Sequence, residues 1–212
     1  MATSPPNSER FERLLHDIRR EGRVLLVHGS RPIRGTELEE MRRLWGCRLR
    51  EVGTGPGEPM GMEAPFTPDA VALLLAILSK GCIAALVPPG DPANDAALRS
   101  AGAVHGWRQS DAEGWTLEER LPPFGTDRVA LPAAPGLLLA GRRSGTFEFA
   151  LDVEELLRGL DPAAKLATLA PLHTREGIVT LLISLARGAA LSLPSTSRTP
   201  SASPTPAAVS DH

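Results

Sequence analysis

The stretch Thr67-Pro-Asp-Ala-Val-Ala-Leu-Leu-Leu-Ala-Ile-Leu-Ser-Lys-Gly-Cys-Ile-Ala-Ala-Leu-Val87 decides the fold. Pro68 suits the first position of a helix, because its missing N–H would have no partner there, and Gly81 supplies a stop. The apolar residues run nearly all the way round this helix, so it is buried on most sides. Ile83 to Val87 then reads as an inner strand, short, continuous and apolar. On the other side, Gly53-Thr-Gly-Pro-Gly57 is turn chemistry and Pro59 to Met62 a short strand. Strand, helix, strand in that order is a parallel crossover unit, and an α/β domain with an open, mostly parallel sheet covered by helices on both faces is expected.

Outward from this unit, Phe11, Leu14, Leu15 and Ile18 recur at helical spacing from Glu9 to about Gly22. Val24 to Val27 reads as a strand buried on both faces. Thr36 followed three residues later by Glu39 offers a capped helix start, with Leu38, Met41, Leu44 and Trp45 as its apolar stripe and an end near Gly46. Downstream, a helix is expected over Asp95 to Ala101, a strand at Gly136 to Ala140, a helix at Leu151 to Leu157 and a strand at Leu166 to Leu169. A helix from Ile178 to Leu185, stopped by Gly188, and a strand from Ala189 to Leu193 complete the series. Between Gly102 and Pro135 no firm pattern emerges. Residues 1–8 read as a flexible leader, 9–194 as the domain, and 195–212 as a disordered Ser/Pro-rich tail that buries too little apolar surface to offset its ordering entropy.

Composition excludes several classes. With 42% hydrophobic and 23% charged residues and a net charge of -2, the 212-residue chain has no electrostatic footprint for nucleic acid. The longest apolar run, Ala70 to Leu78, falls well short of the ~20 residues that span a bilayer. The two cysteines make no disulfide framework and the first residues carry no apolar signal, so a cytoplasmic location is expected. Cys82 reads as a small core residue; Cys47, near Arg48 and Arg50, reads more as an ordinary residue than as a reactive thiol. Gly53, Gly55 and Gly57 are turn glycines, since the third glycine of a dinucleotide fingerprint is absent. Gly136 to Ser144 is a false match to a P-loop, and no Gly-x-Ser-x-Gly elbow surrounds Ser30 or Ser144. His173 and Glu176 are two potential ligands at most, so no metal site is expected.

Particular residues carry a resemblance. Gly53-Thr-Gly-Pro-Gly-Glu-Pro-Met-Gly-Met62, followed by the 67–82 helix, resembles the opening of the adenylate-forming enzymes, where a Gly-x-Gly-Asp segment, a strand and an Ala-x-Leu-Ala-x-Leu-Lys-Ala-Gly helix follow one another. Pro171-Leu-His-Thr-Arg-Glu-Gly177 and Leu185-Ala-Arg-Gly-Ala-Ala-Leu191 resemble the Pro-Leu-x-His-x-x-Gly helix and Leu-Ala-x-Gly-Ala strand of acyl-CoA synthetases and fatty-acyl-AMP ligases. The similarity in order and spacing covers most of residues 10–194. It implies the N-terminal subdomain of an AMP-dependent synthetase/ligase, with ATP and magnesium as its family's co-substrate and ion.

The same resemblance marks departures. The family holds phosphate with a Thr-Ser-Gly-Thr-Thr-Gly-x-Pro-Lys loop after a buried strand, and here that place reads Gly141-Arg-Arg-Ser-Gly-Thr-Phe-Glu148. By distance, Gly145 keeps the second glycine, Arg142 and Arg143 replace Gly-Thr, and Glu148 stands where the lysine belongs. By letters, Ser144, Gly145 and Thr146 keep Ser-Gly-Thr and Phe147-Glu148 follow. Either way the loop is degenerate: a glutamate repels a triphosphate, while the two arginines retain the means to pair with one. Two readings of Arg142, Arg143, Ser144, Gly145 and Thr146 stand, a weakened phosphate loop and a solvated turn. For His173 and Gly177 the alternatives are the border of an acyl pocket and a helix start with local partners.

The family's later Tyr-Gly-x-Thr-Glu segment, ribose-contact Gly-Asp and lid lysine have no counterpart, and Lys80 and Lys165, the only lysines, match neither loop nor lid. A truncated pseudoenzyme is therefore expected, unable to adenylate a carboxylic acid alone but retaining weak acyl or nucleotide binding. The alternatives are a non-enzymatic scaffold docking on a synthetase or acyl carrier protein through exposed apolar edges, and one half of a split ligase. The Arg-, Pro- and Ser-rich tail after Leu193 also fits a gene read out of frame.

Overall fold

Phe11, Leu14, Leu15 and Ile18 are all buried along α1 (Glu9–Ile18), as their helical spacing requires. The computed structural model of the chain describes residues 9–19, 23–110, 114–120, 130–133, 135–140, 146–159 and 170–193. The proposed leader (1–8), the tail (195–212) and the strand expected at Leu166 to Leu169 lie outside those residues.

After α1 come β1 (Val24–His28) and β2 (Arg31–Arg34), joined at Gly29 with φ of 62°. β2 was not expected, and β1 is only half-buried instead of covered on both faces. The reason is its neighbour: β2 is an arginine-rich edge strand that buries only Ile33. α2 (Gly35–Glu51) runs five residues past the expected stop at Gly46. A Cβ at Gly46 would meet nothing, whereas Trp45 and Leu49 are buried and carry the helix onward. Thr36 is not its cap: Arg34 holds the N-cap position without a side-chain hydrogen bond, and Glu39 instead takes Arg42 at 2.7 Å and Arg19 at 3.2 Å.

β3 (Pro59–Glu63), α3 (Pro68–Ser79) and β4 (Ile83–Val87) form the expected crossover, with β3 and β4 parallel from Pro59↔Ile83 to Glu63↔Val87. Thr67 caps α3 by accepting the Ala70 N–H at 3.2 Å, and Ala70 to Leu78 are buried without interruption. α4 (Asn94–Ser100) leads into β5 (His105–Ser110) and β6 (Gly114–Glu119), a hairpin in the region that gave no pattern. Then follow β7 (Gly136–Ala140), β8 (Phe147–Asp152), α5 (Val153–Gly159), α6 (Arg175–Arg187) and β9 (Leu191–Leu193). The helix expected from Leu151 begins two residues later because β8 claims Leu151 and Asp152 for pairing with β7.

The main sheet has the order β6-β5-β3-β4-β7-β8, parallel through β5, β3, β4 and β7 with antiparallel β6 and β8 at its edges. β1 and β9 belong to a second sheet, ordered β2-β1-β9. Period-two alternation explains why the central strands read as continuous apolar runs: Ala84, Leu86, Leu137 and Leu139 join the core containing α3, while Ile83, Ala85, Val87 and Leu138 join the one containing α4. Among the described residues, no helix is long and apolar enough to cross a membrane.

Candidate functional site

In open α/β sheets, ligands bind beyond the carboxyl ends of the parallel strands. Here that end is marked by Glu63, Val87, Ser110 and Ala140. The degenerate loop departs from Ala140, and Arg142, Arg143, Ser144 and Gly145 lie outside the described residues. Thr146 is exposed at the entry to β8. Phe147 pairs with Ala140 and Phe149 with Leu139, with a register shift between Leu139 and Ala140, so the loop springs from an irregular ladder.

The second sequence block arrives at the same place. The guanidinium of Arg175, first residue of α6, lies 5.8 Å from the Phe149 ring centroid. The α6 N-terminus therefore sits beside the end of β7. Its geometry is tightly determined by the turn before it. Leu172 anchors the turn in the core; the Thr174 hydroxyl donates to the Pro171 carbonyl at 2.7 Å and accepts the Gly177 N–H at 3.2 Å. A Cβ at Gly177 would lie 2.1 Å from the Pro171 carbonyl oxygen, so only glycine allows the helix to lie so close to its own entry turn.

His173 stands on that turn, half-buried, with no hydrogen-bond partner at Nδ1 among the described residues. Burial lowers its pKa below 6.5, leaving the imidazole uncharged at neutral pH. An uncharged ring with a free nitrogen can accept or donate one hydrogen bond but offers phosphate no positive charge. The structure thus brings His173 and Gly177 together near the strand end.

A carboxylate that the sequence reading missed also lies at this end of the sheet. Glu63, the last residue of β3, is buried and accepts the Gly90 N–H at 2.8 Å and Arg108 Nε at 3.0 Å. Both oxygens are occupied, so it fastens the turn after β4 to β5. The only signal was an acidic residue closing an apolar strand. Among the described residues, no group of three or more His, Cys, Asp or Glu side chains is placed to hold a metal ion.

No protein-family profile matches the sequence, and no curated protein matches it. The fold does have relatives among solved structures. CmiS6 superposes with a TM-score of 0.63 at 18% identity, covering 92% of this chain and 54% of its own. The N-terminal subdomain of NpsA from Klebsiella oxytoca, in complex with 3-hydroxyanthranilyl-AMSN, gives 0.65 at 16%, covering 89% and 53%. The nonribosomal peptide synthetase FmoA3 gives 0.63 at 22%, covering 88% and 22%. The chain spans about half the length of the first two, at 54% and 53%. These likenesses agree with the resemblance carried by the sequence blocks: this chain has the fold of the N-terminal subdomain of the adenylate-forming enzymes.

Proposed function

We propose that this chain forms the acyl-side wall of an adenylate-forming site and does not activate a carboxylic acid by itself. The observation that supports this reading is the placement of the α6 N-terminus, with uncharged His173 and the Thr174 cap, beside the carboxyl end of β7 through the Arg175–Phe149 contact. An uncharged imidazole on a helix-entry turn suits the carboxylic-acid end of an acyl adenylate. The triphosphate end is poorly served, because in the alignment by distance Glu148 stands where the family's loop carries its lysine. Weak acyl or nucleotide binding is what remains, with Arg142, Arg143, Ser144, Gly145 and Thr146 as the nucleotide-side residues and His173 and Gly177 on the acyl side. The protein works in the cytoplasm, where its two cysteines stay reduced.

The test has two arms. ATP–pyrophosphate exchange with a panel of aliphatic and aromatic carboxylic acids should show no turnover; robust exchange would overturn the inability to adenylate. Titration with 3-hydroxyanthranilyl-AMSN, followed through the His173 imidazole protons by NMR, should show saturable perturbation. Unperturbed His173 resonances at saturating ligand would overturn the acyl wall.

A second reading is a module completed by a companion synthetase chain, with an acyl carrier protein as its downstream partner. Among the described residues β9 pairs only with β1, leaving its other edge to a strand from such a partner. The apolar faces expected of a scaffold are sparse, however: Leu44, Leu117 and Leu131 are the exposed large hydrophobics among the described residues. A sharp, monodisperse monomer by light scattering that stays monomeric on mixing with the companion would remove this reading.

A further inference from the structure

We draw no further inference here: the strongest candidate, the charged groove of about 510 Å³ between α4 and the β5–β6 hairpin, carries nothing because its arginines, Arg99, Arg108 and Arg120, are already paired with Asp95 and Glu118 in its own walls, and the unpartnered Nη1 of Arg120 is sealed from solvent against Gly106.

Discussion

The carbonyl oxygen of Pro171 occupies the space that a side chain at Gly177 would need: a Cβ there would come within 2.1 Å of it. Both partners are backbone or nearly so, and neither can move without shifting the turn that carries His173. Gly177→Ala should therefore cost about 1–3 kcal/mol in urea unfolding, as overpacking does, and should displace the His173 resonances. An alanine variant as stable as the parent, with unchanged His173 signals, would contradict this contact.

Arg120 and Gly106 form a second obligatory pair. The buried guanidinium lies over the glycine, where a Cβ would sit 2.2 Å from Nη1, and it pairs with Asp95 at 2.9 Å and with Glu118. Arg120→Met leaves those carboxylates without their shared cation. The expected loss is about 2 kcal/mol, below the ~3–5 kcal/mol of a fully buried pair because Asp95 is half-exposed. Gly106→Ala should act in the same direction, and thermal unfolding of the two variants checks both.

Asp69 holds two indole N–H groups at once. Asp69→Ala orphans both donors and should destabilise the fold by about 2–3 kcal/mol. Since Trp45 and Trp115 are two of the three tryptophans, emission should change in the folded state before unfolding begins. Native emission identical to the parent would show that these bonds are not formed.

Two groups divide the acid response. Burial holds His173 below 6.5, so the folded chain binds fewer protons there than the unfolded one. Its contribution is complete above the unfolded pKa and shrinks as pH falls through 6.5 toward the folded value. His173→Gln should flatten the stability decline in that window. Glu39 behaves otherwise: burial pushes it up, but the hydrogen bond and charge of Arg42, with Arg19 and Arg43, bring it below 4.5. Its contribution is present above the unfolded value and is lost as pH falls through the folded one. Denaturant midpoints between pH 7 and 3 for His173→Gln and Glu39→Gln should differ from the parent in separate windows.

The two cysteines should react very differently. Burial pushes the Cys82 thiol up to about 11, against the opposing charge of Lys80, and its Sγ donates to the Gly55 carbonyl at 3.2 Å. At pH 8 only about one molecule in a thousand carries the thiolate. Cys47 is exposed. A disulfide reagent should titrate one thiol in the native protein and both after denaturation; two fast native thiols would refute the burial of Cys82.

The sequence by itself determined the parallel crossover. Thr67, Pro68 and Gly81 punctuate α3 by local backbone chemistry, and unbroken apolar runs can only be strands or helices covered on both sides. It also marked the turn at Pro171 to Gly177, through the resemblance of that block to a Pro-Leu-x-His-x-x-Gly helix start; the Thr174 cap itself emerged only in the structure. Tertiary structure alone decided the rest. The β5–β6 hairpin gave no pattern because its inward residues, Trp107 and Trp115, are held by Trp45 and Asp69 from distant helices, while Arg108 and Arg120 are polar residues placed by ion pairs from α4 and β3. Gly46 looked like a helix end, yet Leu49 had a core to enter and the helix continued.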